Sequence, residues 1–129
     1  MPRKIVRPPE NSASSPYYSA ATKAGGFVFV SGQGPWDPKC RAFAGETIEE
    51  QAELTLRSLQ GVLQESGAGL TDVVKAQVHL RDLDDFDDFD RFNQVYVRFF
   101  PSPAPARTTV GSDLGEIMFE IDAIAFTGR

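Results

Sequence analysis

The chain has 129 residues, of which 41% are hydrophobic and 24% are charged, and these values are typical of one globular domain rather than of a disordered or fibrous protein. Thirteen basic and eighteen acidic residues give a net charge of −5, which argues against a general nucleic-acid binder because such proteins need a basic surface. No apolar run reaches the roughly 18 residues of a transmembrane helix, and the single cysteine, Cys40, cannot form an intramolecular disulfide, so we expect a cytoplasmic protein.

The amino-terminal part of the chain predicts a flexible segment followed by a β-hairpin. Prolines and serines are frequent in residues 1–15, so we expect a flexible lead-in before a single domain over residues 16–129. An edge strand over residues 17–23 and an apolar strand over residues 27–31 flank Gly25-Gly26, a pair that favours a tight turn. These segments predict a hairpin at the start of the domain.

The middle of the chain predicts a helix and then a half-buried strand. Thr47 and Glu50 have the spacing of a capping box, in which the two residues cap each other's free backbone amides. Apolar residues then recur at steps of three and four: Ile48, Ala52, Leu56, Leu59 and Leu63. We therefore expect a helix over residues 47–66, followed by an alternating strand over residues 74–80 with Val74 on its apolar face.

The last part of the chain predicts a second helix and two closing strands. Acidic residues in the first turns and an aromatic stripe that begins at Phe86 and includes Asn93 predict a helix over residues 83–99, which the following prolines must end. Strands are expected over residues 106–111 and 117–126. The order ββ-α-β-α-ββ favours an α+β fold in which a sheet has both helices on one face.

The last predicted strand has apolar side chains on both faces. Phe119 and Ile121 fall on one face, whereas Ile124 and Phe126 fall on the other. Two helices can cover only one face of such a sheet, so the second face needs another cover. A symmetric copy of the same chain is the simplest cover, and we therefore expect a homo-oligomer.

Arg107 and Glu120 are the charged residues that stand out from their surroundings. Glu120 falls among Met118, Ile124 and Phe126, where a carboxylate needs a partner or a function because burying a lone charge is costly. Two interpretations are open: a structural ion pair, or a site in which Arg107 binds a substrate carboxylate while Glu120 transfers a proton. Both require the two side chains, from the last two strands, to lie in one crevice.

Other residues that could carry chemistry have weaker patterns. The sequence has no GxxxxGK, GxGxxG or CxxC motif. His79 is the only histidine and stands on an alternating strand without metal-ligand spacing, so we expect an exposed or interface residue. Cys40 lies between two cations that could activate a thiol, but no base stands near it in the sequence. Neither residue predicts a catalytic site.

The chain carries an ordered set of short motifs between residues 16 and 126. They are Pro16-Tyr17, Phe27-Val28-Phe29-Val30-Ser31-Gly32-Gln33 with Pro35 and Asp37-Pro38, Glu49-Glu50-Gln51, Asp72-Val73-Val74-Lys75, Asp84-Asp85-Phe86, Asn93-Gln94-Val95-Tyr96, Phe99-Phe100-Pro101, Pro105-Ala106-Arg107-Thr108-Thr109-Val110 and Glu120-Ile121-Asp122-Ala123-Ile124-Ala125. Each motif is weak on its own, but the ordered set resembles the RidA (YjgF/YER/UK) family of small trimeric deaminases.

This resemblance implies a chorismate-mutase-like fold, with a single mixed sheet of about six strands and two helices on one face. It also implies a homotrimer with clefts between subunits and neither a metal nor an organic cofactor. The implied activity is hydrolysis of reactive enamines and imines, such as 2-aminoacrylate and 2-imino acids, to 2-oxo acids and ammonia. The implied partner is a small carboxylate-bearing substrate, with no nucleic acid and no membrane.

The site residues of the family fall on residues that match in this chain. The carboxylate-binding arginine falls on Arg107 and the water-orienting glutamate on Glu120. The other implied substrate-binding residues are Tyr17, Ser31, Gly32, Asn93 and Thr109. Thr109 stands where many deaminating members have a cysteine. The resemblance implies that the backbone carbonyl of this residue, and not its side chain, helps to hold the water. Trp36 and Asp113-Leu114-Gly115 also depart from the usual pattern, so the substrate can differ from the common one.

Three alternatives to general imine hydrolysis remain open. The departures at Thr109 and Trp36 are consistent with a protein that binds small carboxylates without catalysis. A pathway-specific deaminase, acting on an aminomuconate or aminoacrylate intermediate, would use the same site residues. An endoribonuclease is the least favoured alternative because the chain is acidic and has no pair of histidines.

Overall fold

The computed structural model describes residues 3–9 and 13–128. Within these residues the chain forms eight strands, two α-helices and one short 3₁₀ helix. They are β1 (Lys4–Val6), β2 (Ala21–Ala24), β3 (Phe27–Gln33), β4 (Trp36–Asp37), β5 (Ala42–Phe43), α1 (Ile48–Glu65), the 3₁₀ helix (Leu70–Asp72), β6 (Val73–Leu80), α2 (Phe86–Phe99), β7 (Ala106–Gly111) and β8 (Phe119–Phe126).

Six of the strands form one mixed sheet in the order β1-β2-β3-β8-β6-β7. β6 and β7 are parallel, every other neighbouring pair is antiparallel, and β4 and β5 form a separate ribbon. α1 packs on β3 and β8, and Phe92 of α2 contacts Phe119 of β8 with ring centroids 4.6 Å apart. Both helices therefore cover the same face of the sheet, and the predicted α+β architecture is confirmed.

The predicted hairpin is confirmed at its turn. Gly25 and Gly26 connect β2 to β3 with φ angles of 59° and 84°, a left-handed conformation that glycine adopts without steric cost. The first strand of the hairpin begins at Ala21 rather than at residue 17. The residues before it form bends, so the strand prediction was too long at its amino-terminal end.

The first helix and its apolar stripe are also confirmed. Thr47 caps α1 by accepting a hydrogen bond from the Glu50 amide at 3.2 Å. The Glu50 carboxylate accepts from the Glu46 amide at 2.8 Å, so the reciprocal bond falls one residue earlier than a capping box predicts. All five residues of the predicted stripe are buried.

α2 begins three residues later than predicted, and its buried face differs from the predicted stripe. Asp85 caps the helix by accepting a hydrogen bond from the Asp88 amide at 3.1 Å, which leaves the preceding residues in a turn. Phe86, the first residue of the predicted stripe, is 82% exposed. The buried residues of the helix are Phe92, Val95 and Tyr96. The predicted start was too early because the helix begins only after its cap at Asp85, and the predicted stripe was wrong because it was placed on Phe86 instead of on Phe92.

The expected flexible lead-in over residues 1–15 is wrong for residues 4–6, which form β1. This strand pairs with β2 in antiparallel register, and Val6 is buried. Backbone hydrogen bonds to a distant strand order these residues, and no local sequence pattern indicates them. Part of the predicted lead-in and the last residue of the predicted domain lie outside the described residues: 1–2, 10–12 and 129.

A bulge at the start of β6 changes which valine is buried. The register with β8 shifts between Val73 and Lys75, so that Val73 is buried and Val74 is 47% exposed. The predicted alternation holds from Ala76 to Leu80, where every second side chain is buried. The assignment of Val74 to the buried face was therefore wrong, although the strand itself is confirmed.

The face of the sheet opposite the helices carries half-exposed apolar side chains. Phe27 and Phe29 remain 38% and 42% exposed, and the ring centroids of Phe27 and Phe126 lie 4.8 Å apart. This confirms that the last strand has apolar groups on both faces, although it begins at Phe119 rather than at residue 117. Neither helix of the described residues has the length and apolarity needed to cross a bilayer.

Candidate active site

Arg107 lies on the edge strand β7, and its side chain is directed toward α2. Its Nη1 atom donates a hydrogen bond to Asn93 Oδ1 at 2.8 Å. The guanidinium carbon lies 4.8 Å from the ring centroid of Tyr96, 5.7 Å from that of Phe92 and 6.0 Å from that of Phe89. Steps of three and four residues put these four side chains on one side of α2, and this side contacts the guanidinium.

These contacts hold the guanidinium and leave most of its donors available. Aromatic rings stabilise a nearby cation, and Asn93 uses one of the five N–H groups of Arg107. In the part of the chain that the structure describes, no carboxylate forms an ion pair with Arg107. Burial raises the pKa of the Tyr96 phenol more than the charge of Arg107 lowers it, so Tyr96 is a neutral ring beside the cation.

Glu120 lies on the opposite face of the sheet from Arg107. Arg107 pairs with Ala76 of β6, which is buried under the helices, whereas Glu120 pairs with His79 on the open face. β6 also separates β7 from β8 in the sheet. Within one chain, the expectation that the two side chains share a crevice is therefore wrong, and so is the alternative of a structural ion pair between them. The parallel pairing of β7 with β6 is a long-range feature that the sequence does not reveal.

A bulge in β3 places Gly32 against the Glu120 side chain. The register between β3 and β8 shifts between Val30 and Gln33, so the glycine lies within the irregular part of the strand. A Cβ atom added to Gly32 would overlap Oε1 of Glu120. The missing side chain thus provides the space that the half-buried carboxylate occupies.

Tyr17 and Ser31 line a hollow of about 630 Å³ beside Phe29, on the open face of the sheet. The hydroxyl of Ser31 donates a hydrogen bond to the Ser19 carbonyl at 2.6 Å, which ties the segment that follows Tyr17 to β3. Tyr17 is 91% exposed, so its ring projects into solvent beside the hollow. Arg3 lines the same hollow from the residue that precedes β1.

The seven predicted site residues therefore form two groups on different faces of the sheet. The arginine group consists of Arg107, Asn93 and Thr109. Thr109 is half-buried two positions beyond Arg107, and it pairs with Val78, so it lies on the same face as the arginine. The carboxylate group consists of Glu120, Gly32, Ser31 and Tyr17. The structure brings together the members of each group, but it does not bring the two groups together within one chain.

The aromatic surroundings of Arg107 were not predicted. The stripe predicted for α2 consisted of Phe86, Phe89, Asn93, Tyr96 and Phe100, and it neither included Phe92 nor was connected with Arg107. The spacing of these rings around Asn93 on one helix is the signal that could have identified them. Among the described residues, no group of three or more His, Cys, Asp or Glu side chains is arranged to hold a metal ion.

Sequence comparison identifies relatives over most of the chain. The family model described as Endoribonuclease L-PSP matches residues 9–127. A RutC family protein of Pyrococcus abyssi is 39% identical over 111 residues, which are 84% of this chain and 85% of that protein. The protein named Reactive Intermediate Deaminase A, chloroplastic, of Arabidopsis thaliana is 36% identical over 107 residues, which are 83% of this chain and 56% of that protein.

Solved structures share the fold along its whole length. Yeast Mmf1 superposes with a TM-score of 0.85 at 32% identity, over 97% of this chain and 98% of that chain. E. coli TdcF, crystallised with bound serine, superposes with a TM-score of 0.82 at 28% identity, over 95% of this chain and 98% of that chain. Sequence and fold thus agree, and the chain belongs to the RidA (YjgF/YER/UK) family, to which the L-PSP family model corresponds.

Proposed function

We propose that this protein is a hydrolytic deaminase that converts small 2-imino acids and their enamine forms, such as 2-aminoacrylate, to 2-oxo acids and ammonia. The observation that carries the proposal is the set of contacts that the Arg107 guanidinium makes. Its guanidinium is held by Asn93 and three aromatic rings, yet no carboxylate of the described residues neutralises it. A planar fork of donors in such surroundings is suited to bind the carboxylate of a substrate in a bidentate manner.

Glu120 is the residue proposed to handle the water and the protons. Its carboxylate lies on the open face beside Gly32, whose exposed backbone lacks a side chain to cover it. The carboxylate would accept a proton from a water as the water oxygen bonds to the imine carbon, and the resulting carboxyl group would return that proton to the imine nitrogen, which gives a carbon that carries a hydroxyl and an amino group. The carboxylate would then take the proton of the hydroxyl and pass it to the amino nitrogen as the C–N bond breaks, so that ammonia leaves and the C=O bond of the 2-oxo acid forms.

The proposed site combines two subunits. Arg107 and Glu120 lie on opposite faces of one chain, so a substrate can contact both only if the second comes from another copy. Two features support this arrangement: Arg107 stands on an edge strand, and the apolar open face around Phe27 and Phe29 needs a cover. A homotrimer with three clefts between subunits would give each arginine group a neighbouring carboxylate group, with Tyr17 closing the cleft.

Two relatives support the choice of substrate class. The Arabidopsis relative is named as a reactive intermediate deaminase, and TdcF was crystallised with serine. Serine carries the carboxylate that Arg107 is proposed to bind, and a 2-imino acid has the same carboxylate beside its reacting carbon. Positioning and proton transfer are sufficient for this chemistry, because imines also hydrolyse in water without an enzyme.

A binding protein without catalysis is the second candidate. It is favoured by Thr109, which stands where many deaminating members of the family have a cysteine. Thr109 is half-buried on the same face of the sheet as Arg107. Such a protein would be stabilised thermally by small carboxylates and would release no ammonia from imino acids. Ammonia release above the spontaneous rate would therefore reject this second candidate.

The test is a panel of 2-imino acids generated in situ by an amino-acid oxidase and followed by 2-oxo acid formation. The purified protein should accelerate formation above the spontaneous rate for at least one small aliphatic imino acid. Arg107→Ala should lower kcat/KM by about 100-fold or more, because it removes the group that orients the substrate. Arg98→Ala is the matched control, since Arg98 is an exposed cation in the last turn of α2 and should leave the rate unchanged. Wild-type activity in Arg107→Ala would contradict the proposal.

A further inference from the structure

The hydroxyl of Tyr96 is a buried polar group without a partner in the single chain. Tyr96 is 4% exposed, and its hydroxyl oxygen forms no hydrogen bond within the part of the chain that the structure describes. Folded proteins pair almost all of their buried hydroxyl groups, because burying one without a partner destabilises the fold. A phenylalanine would occupy the same space without this cost. The packing of the core therefore does not explain the hydroxyl.

Tyr96 belongs to the side of α2 that contacts Arg107. Its ring centroid lies 4.8 Å from the guanidinium carbon, closer than the centroids of Phe92 and Phe89, and among these three rings it alone carries a polar atom. Burial raises the pKa of the Tyr96 phenol, and the neighbouring guanidinium lowers it by a smaller amount. The hydroxyl is therefore neutral, and its oxygen can accept a hydrogen bond from a nearby donor.

Arg107 has more donors than Asn93 and a substrate carboxylate can accept from. A guanidinium has five N–H groups, of which Asn93 accepts from one and a bidentate carboxylate accepts from two. The remaining N–H groups belong to a half-buried side chain, and a bound substrate would shield them from water, so they need an acceptor. Of the α2 side chains that contact the guanidinium, Asn93 and Tyr96 carry an acceptor atom, and Asn93 is already used. The Tyr96 hydroxyl is the acceptor that is left.

We propose that Tyr96 is a positioning residue for Arg107, whose guanidinium donates a hydrogen bond to the Tyr96 hydroxyl when a substrate carboxylate binds. This bond and the bond to Asn93 together fix the plane of the guanidinium against α2, so that its outer donors are directed at the carboxylate. The bond to Tyr96 forms only in the occupied site, so it contributes to substrate affinity and not to the stability of the free protein. The proposal rests on the proposed role of Arg107 in carboxylate binding.

The binding of pyruvate, a small 2-oxo acid, tests this role without any assay of turnover. Tyr96→Phe keeps the ring and removes only the hydroxyl, so the Kd for pyruvate in titration calorimetry should rise about three- to tenfold. The melting temperature of the free protein should not fall, because the lost hydroxyl has no partner there among the described residues. Thr55→Val is the matched control, since it removes the other buried hydroxyl without a partner in the described part of the chain. This control should likewise keep its melting temperature, and it should leave the Kd for pyruvate unchanged.

The two kinetic constants test the same role during turnover. In Tyr96→Phe, KM for imino acids should rise by a similar factor while kcat changes by less than about twofold, because the hydroxyl acts on binding and not on the reacting atoms. Pyruvate binding as tight as in the wild type would overturn the proposal. A melting temperature several degrees lower at an unchanged KM would also overturn it, because that is the result expected of a structural hydroxyl. A wild type that binds pyruvate without accelerating imine hydrolysis would instead reject the proposed function, and the Kd values of the two variants would still decide whether Tyr96 positions Arg107.

Discussion

Gly32 and Glu120 lie so close across β3 and β8 that a methyl group on the glycine would overlap the carboxylate. The bulge between Val30 and Gln33 creates this contact, because it interrupts the regular register of the two strands. The carboxylate therefore depends on a glycine at this position for its place on the open face. This relationship gives a prediction that separates activity from stability.

Gly32→Ala should lower kcat/KM for imino acids by at least about tenfold, because the new methyl group displaces the Glu120 carboxylate from its place. Gly32 is exposed, so the melting temperature should fall by only a few degrees. Steady-state kinetics and calorimetry measure the two effects. Gly61→Ala is the matched control: a Cβ there would have its nearest contact at 3.6 Å, and alanine favours a helix. Unchanged turnover in Gly32→Ala would contradict a catalytic role of Glu120 in this position.

Asn93→Ala should weaken substrate binding more than it slows the chemical step. Asn93 orients the guanidinium through the 2.8 Å hydrogen bond to Nη1, and a hydrogen bond to a charged group contributes about 1.5–3 kcal/mol. We expect KM to rise about 10- to 100-fold with a much smaller change in kcat. Gln94→Ala, at the exposed neighbouring residue of α2, serves as the control. A fall in kcat at unchanged KM would show that Asn93 has a different role.

The ion pair between Arg91 and Glu49 links α2 to α1 and predicts a pH-dependent stability. Arg91 donates to both carboxylate oxygens of Glu49, at 2.8 and 2.6 Å, and this bond holds the pKa of Glu49 below its usual range. A carboxyl group with a lowered pKa stabilises the fold above its ordinary pKa, and this stabilisation is lost as the pH falls through the lowered value. The contribution is small because both side chains are partly exposed to solvent.

Arg91→Gln should therefore lower the melting temperature at neutral pH, and its difference from the wild type should shrink between about pH 5 and pH 3. Arg57→Gln is the comparison, because Arg57 makes one ion pair, with Glu53 of the same helix at 2.9 Å, and its guanidinium carbon lies 5.8 Å from the centroid of the uncharged Phe99 ring, so the effect of this change should depend less on pH. Thermal unfolding at a series of pH values measures both. A difference for Arg91→Gln that is as large at pH 3 as at pH 7 would contradict the assigned role of Glu49.

Local sequence patterns were sufficient for much of the fold. Thr47 and the apolar stripe of α1 are local features, since a cap and a helical period involve residues that are close in the chain. The turn at Gly25 and Gly26 is local as well. These elements agree with the prediction because the interactions that determine them lie within the segment itself. The bounds of β7 agree with the prediction as well.

The parts that the sequence could not predict depend on long-range pairing. β1 is ordered by β2. The late start of α2 is a different case, because the cap at Asp85 that determines it is a local feature. Arg107 and Glu120 lie on opposite faces of the sheet because of the way in which β7 and β8 each pair with β6, which lies between them. No sequence pattern within β7 or β8 indicates this pairing. The same limit explains why the sequence identified the site residues by type, whereas their division into two groups emerged only from the register.

Complementation between two inactive variants tests most directly whether the site is shared between subunits. Arg107→Ala and Glu120→Gln are each expected to be inactive, since each removes one half of every cleft. In a trimer whose clefts combine the arginine group of one subunit with the carboxylate group of the next, random mixing of the two variants restores about a quarter of the clefts. Co-refolded mixtures should therefore recover about a quarter of the wild-type rate of imine hydrolysis. A mixture that contains mixed trimers and remains as inactive as its two components would contradict the shared site.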